Sequence, residues 1–165
     1  MIHYHLAQLN IAEMLEPLDS PTMADFVANL DRINALADAA PGFVWRLQTE
    51  QGDATGVKDF GETIIVNMSV WESPEALHDY VYETAHVEIL RRRKEWFSRM
   101  RNAYAVLWWV PAGHRPSVAE GKERLELLRE HGPSERAFTF EKIFPAPDQL
   151  GSSSPETRSL DGCPT

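Results

Sequence analysis

The chain has 165 residues, 43% hydrophobic and 25% charged, proportions that suit one globular domain with a real core. Its 25 acidic and 16 basic side chains leave a formal net charge of −9, which excludes the broad basic field of a nucleic-acid-binding surface. No apolar run approaches the roughly 20 residues that span a bilayer, so no membrane partner is expected.

The chain opens directly on strand-like residues 3–11 with no basic-then-apolar leader, so a cytoplasmic protein is expected. Pro17 and Pro21 end that strand, and Ser20 or Thr22 is placed to cap the next element. Over residues 23–39 the apolar positions Phe26, Val27, Leu30, Ile33, Leu36 and Ala37 repeat with helical spacing, and Pro41-Gly42 stops the helix. Residues 43–49 predict a second strand with Phe43, Trp45 and Leu47 on one face. A glycine-rich loop over 50–61 follows, then a third strand over 64–71. Ser73 with Pro74 at the first helical position starts a helix predicted to run to about residue 99. Residues 105–110 read as a buried strand. Ser117 and Glu120 form a capping-box pattern ahead of a third helix, and residues 137–144 form a last extended segment. Past residue 145, proline, serine and glycine accumulate, so the expected division is a domain over 1–144 and a disordered tail over 145–165. Cys163, the sole cysteine, falls in that tail and has no internal disulfide partner.

The order strand–helix–strand–strand–helix–strand predicts an α+β fold: a ferredoxin-like split βαβ sheet with two covering helices and a C-terminal helix/strand extension. The strands are apolar on both faces. One face belongs under the helices, and a second copy of the sheet is the simplest cover for the other, which predicts a homodimer.

The segment Val70-Trp71-Glu72-Ser73-Pro74-Glu75-Ala76-Leu77, with His86 farther along, resembles the antibiotic-biosynthesis monooxygenase group of dimeric α/β-barrel proteins. Residues 5–144 as a whole resemble an uncharacterised family of that superfamily. Its marks are His5-Leu6-Ala7-Gln8-Leu9-Asn10, Ala85-His86 through Arg91-Arg92-Arg93 to Trp96-Phe97, Leu107-Trp108-Trp109-Val110-Pro111-Ala112-Gly113-His114, and Gly132-Pro133-Ser134 before Ala137-Phe138-Thr139-Phe140.

Histidines supply the candidate chemistry. His3 and His5 lie about 7 Å apart on one strand face, but no acidic ligand sits nearby in sequence; a pocket-facing hydrogen-bonding role for His5 is expected and no metal site. His78, Tyr82 and His86 follow at helical i, i+4 steps, with about 12 Å between the two histidines, too far to share an ion. His78 reads as a core histidine and His86 as one flanking a cleft. Asn67, Ser69 and Trp71 form a polar–aromatic row, with Arg46 on the neighbouring strand able to orient a small carbonyl or phenol. Arg91-Arg92-Arg93-Lys94 reads as a solvated face near a helix end, with Arg92 the most inward and an anion grip as its functional alternative. Phosphate loops, dinucleotide fingerprints, nucleophile elbows and zinc-type cysteine patterns are absent from the sequence.

The resemblance implies a cofactor-independent monooxygenase of secondary metabolism acting on a small aromatic or polyketide-like compound. It assigns His86 and His5 as catalytic and Asn67, Trp71, Arg46 and Tyr82 as substrate-binding, with no cofactor or metal. Within the same fold, an isomerase or cyclase, a haem protein with His86 as axial ligand, or a non-catalytic ligand-binding module is the alternative.

Overall fold

The computed structural model describes residues 2–48, 60–84 and 86–149. Most of the expected glycine-rich loop, Ala85, and the tail from residue 150 with Cys163 lie outside the described residues. β1 (Tyr4–Met14) is the central strand. It pairs antiparallel with β3 (Ile64–Trp71), from Leu6 opposite Trp71 to Glu13 opposite Ile64. On its other side lies β5 (Ala105–Pro111), with Tyr4 opposite Pro111 and Asn10 opposite Ala105. β2 (Phe43–Arg46) pairs with β3. The order β2–β3–β1–β5, all antiparallel, is the split βαβ arrangement that the element order predicts. A two-residue strand, β4 (Phe97–Ser98), joins the far end of β1.

Because side chains alternate along a strand, β1 feeds two cores. Leu6 points to the face with Trp71 and Leu107, covered by α1 (Ala24–Ala39) through Ala37, by α2 (Pro74–Glu83) through Leu77 and Tyr80, and by Phe138. Ala7, Leu9 and Ile11 point to the other face with Val66, Met68, Val70, Val106, Trp108 and Val110. Here the structure corrects the reason given for a second copy. The chain's own α5 (Val118–His131) lies on this face, burying Leu125 and Leu128 against it. Each such side chain contributes about 1.5–3 kcal/mol of burial. Gly121 lets the helix sit close: a Cβ there would stand 2.8 Å from Leu9 Cδ1 and 3.1 Å from Met68 Sδ.

Several local expectations are also corrected. The predicted long helix is broken into α2, α3 (His86–Arg91) and α4 (Arg93–Trp96). Thr84 breaks it: its backbone is extended, its hydroxyl donates to the Tyr80 carbonyl, and its oxygen accepts from the His86 N–H, opening a new helix. A bulge between Phe43 and Trp45 turns Phe43 toward Trp71 and sends Trp45 and Leu47 to the α5 face, so the three do not share a face. Ser73 and Ser117 cap as expected, accepting from the Ala76 and Glu120 N–H groups. Neither Ser20 nor Thr22 caps α1: the residue ahead of it is Met23, in helical geometry and without a side-chain cap. Glu120 does not close the capping box, because its carboxylate accepts instead from Trp108 Nε1 at 3.1 Å and meets His114 Nε2 at 2.9 Å. The extended segment over 137–144 appears as isolated bridges, chiefly Phe138 to Leu107 at the β5 edge. Past residue 144, Ala146 is buried and a 3-10 turn spans Pro147–Gln149. Among the described residues no helix is long and apolar enough to cross a membrane.

Candidate functional site

The polar row forms on the helix-side face of the sheet, where the even residues of β1 and the odd residues of β3 point the same way. Ser69, 6% exposed, is its hub. Its Oγ accepts from Trp71 Nε1 at 2.8 Å and from Gln8 Nε2 at 2.8 Å. The same Gln8 nitrogen donates to Asn67 Oδ1 at 3.2 Å. Asn67 is exposed and lies opposite Asn10 in register, so the row runs from a buried indole to an open end. Arg46 lies opposite Ser69 on β2, and its guanidinium is held by Asp38 of α1 at 2.8 and 3.3 Å.

An aromatic wall continues from the buried end. Phe43 meets Trp71 edge-on at 5.5 Å, and Trp71 stacks on Tyr80 at 5.1 Å. Tyr80 then contacts the His86 ring at 5.1 Å and donates its hydroxyl to the Ile33 carbonyl of α1 at 3.1 Å. Desolvation pushes the Tyr80 phenol well above its ordinary value, so it stays protonated. Burial lowers the His86 pKa below the ordinary 6.5, with a hydrogen bond from its ring to the Val81 backbone offsetting part of the effect. His86 is therefore neutral near pH 7, and its buried Nδ1 has no hydrogen-bond partner among the described residues.

The structure joins Asn67 and Trp71 in one network through Ser69 and Gln8, sets Arg46 opposite Ser69 on the neighbouring strand, and attaches His86 through Tyr80. It does not bring His5 or Tyr82 there. His5 is an odd residue of β1 and lies on the α5 face, opposite Val110, with its ring 5.3 Å from His3. Tyr82 packs on His78 at 4.7 Å, and His78 in turn meets Phe140 at 5.9 Å, on another side of α2. Tyr80 and Gln8 are the members that sequence reasoning missed. Tyr80 stands three residues after Leu77 on the same helical stripe, a signal present but overlooked. Gln8 carries no comparable mark, since a polar residue in a strand is ordinary. Arg92 is a clamp, not a ligand grip: it bonds Asp25 at 2.7 Å and Glu95 at 2.8 Å and lies over the Trp96 ring.

Among the described residues no three or more His, Cys, Asp or Glu are grouped so as to hold a metal ion. A crevice of about 30 Å³ between α1 and α3, lined by Phe26, Asn29, Leu30, Ile33 and Ile89, has room for little more than water.

The family described as a domain of unknown function, DUF3291, matches residues 5–154 of the chain. The chain belongs to that DUF3291 family. No curated protein matches it. Among solved structures, the DUF3291 chain is similar to NE2512, a protein of unknown function from Nitrosomonas europaea. The two share 16% identity at a TM-score of 0.44, over 69% of this chain and 96% of that one. It is also similar to a mutant of SnoaB, a cofactor-independent oxygenase from Streptomyces nogalater, at 14% identity and a TM-score of 0.40, over 69% and 96% of the two chains.

Proposed function

We propose that this DUF3291 protein is a cofactor-independent monooxygenase-like enzyme acting on a small aromatic or polyketide-like compound. One observation carries the reading: His86 is half-buried, desolvated and neutral, has a buried Nδ1 with no hydrogen-bond partner among the described residues, and stands at the end of an aromatic wall that leads to a row of polar groups. A neutral imidazole in a water-poor setting accepts a proton from an acidic phenol or enolisable carbonyl. Asn67 and Arg46 then hold the resulting anion and Trp71 shapes the aromatic side. The carbanion carbon adds dioxygen, the peroxide takes back the proton held on His86, and loss of water breaks the O–O bond and leaves a quinone, the substrate supplying both electrons. His5, on the opposite face, is left out of this step.

The test is oxygen uptake by the purified protein with electron-rich hydroxynaphthalenes. Turnover by the wild type should fall about 100-fold or more in His86→Gln, the usual scale for losing a general base. Equal uptake by both proteins would sink the reading.

A second reading, a non-catalytic ligand-binding module, is favoured by the packed interior beside Trp71, where Leu6, Leu107 and Phe138 are all buried. Ligand sites usually enclose roughly 300–1,000 Å³; the crevice between α1 and α3 is far smaller, and a cavity of about 280 Å³ lies instead at the far end of β1, lined by Met14, Leu15, Glu16, Pro17, Glu62 and Thr63. Haem does not fit: the Tyr80 ring already lies against His86, and the nearby crevice of about 30 Å³ is far too small for a porphyrin. A small-molecule partner belongs to both readings. A homodimer takes no support from the sheet, whose second face α5 covers, and the native mass of the purified protein decides it.

A further inference from the structure

The indole N–H of Trp71 can only donate, so Ser69 Oγ must accept it. The structure assigns the second acceptor position on Ser69 to the amide nitrogen of Gln8, and the other hydrogen of that nitrogen goes to Asn67 Oδ1. Two consequences follow from donor counting. Both acceptor positions of Ser69 are filled, so its own hydrogen is left to donate. With its carbonyl turned toward Gln8, Asn67 directs its NH₂ away from that bond at the exposed end of the row. The opposite polarity requires both amides to turn over together, with Ser69 donating to Gln8.

We infer that Gln8 is a positioning and specificity-determining residue: it sets the row to present donors, and so selects ligands that offer an acceptor oxygen over ligands that offer an N–H. The ligand preference rests on the proposed function; the orientation of Asn67 does not. Gln8→Glu separates the two. A carboxylate only accepts, so it takes the hydrogen of Ser69 and the NH₂ of Asn67, which reverses the row while keeping its shape. Gln8→Leu removes the partner altogether.

The readout is the side-chain amide pair of Asn67 in ¹⁵N-labelled full-length protein, assigned with Asn67→Asp. One amide proton of Asn67 should move downfield in Gln8→Glu, and the ¹⁵N relaxation of the pair should show a more mobile side chain in Gln8→Leu, where the Asn67 carbonyl loses its partner. Titration with α-tetralone, an acceptor, and 1-naphthylamine, a donor, reads the selectivity. The wild type should prefer the ketone, and Gln8→Glu should shift the ratio about tenfold toward the amine, the scale of one neutral hydrogen bond. If the carboxylate unfolds the chain, the mobility of the Asn67 amide in Gln8→Leu decides. An Asn67 pair unchanged in every folded variant overturns the inference. A shifted pair supports it, and if the wild type then binds neither probe, the proposed function is what fails.

Discussion

His86 shows how burial alone can prepare a side chain for chemistry. Its sequence position marks only a helical flank; the enclosure around it lowers its pKa. The sign of the consequence for stability is definite. Below the ordinary value of 6.5 the unfolded chain binds a proton at His86 that the folded chain resists, so this component of stability is lost as pH falls below 6.5. The loss stops once pH passes below the lowered folded value. His86→Gln should remove this component, so urea midpoints of wild type and variant should converge or cross as pH is lowered from about 8 to about 5. Parallel midpoints across that range would show that His86 titrates as in solution. Tyr80 makes the complementary point: its phenol stays protonated and bonded to the Ile33 carbonyl, so it acts as a wall and not as a proton carrier.

At the scale of elements, small local features decided what periodicity could not. Over residues 74–99 the helical spacing continues through Thr84, but a side chain that bonds both the preceding turn and the next N–H ends one helix and starts another. The break moves His86 to a helix start, where its ring meets Tyr80. Gly42 is the matching device between α1 and β2. Its φ of +81° is costly for other residues, and a Cβ there would lie 2.5 Å from the Ala76 Cβ at the start of α2. Its carbonyl also accepts from the Glu72 N–H at 2.8 Å, tying the turn to the end of β3. Gly42→Ala should therefore lower stability by roughly 2 kcal/mol or more, read by denaturant melts, because strain and overlap act together. A neutral effect would mean that α2 can shift without cost.

At the scale of the whole molecule, α5 changes the architecture that the sequence implies. It seats Gly121 on Leu9 and Met68 and buries Leu125 and Leu128, so both faces of the sheet are covered within one chain. Gly121→Leu should lift the helix and cost about 1–3 kcal/mol, with increased binding of a hydrophobic dye as the sheet face opens. An unchanged melt would show that α5 is not tightly seated. The order of the four long strands and of the helices that start near residues 24, 74 and 118, the sheet order, and the Ser73 and Ser117 caps were legible in the sequence, because alternation, helical repeat and capping are local and leave a pattern along the chain. So was the grouping of Asn67, Trp71 and Arg46, since strand alternation and neighbouring strands place them on one face. What occupies the second sheet face, the Phe43–Trp45 bulge, the separation of His5 from His86, and the role of Gln8 were decided only by tertiary structure. Apolarity says that a surface must be covered but not by which segment, and a hydrogen-bond partner 59 or 61 residues away leaves no local pattern.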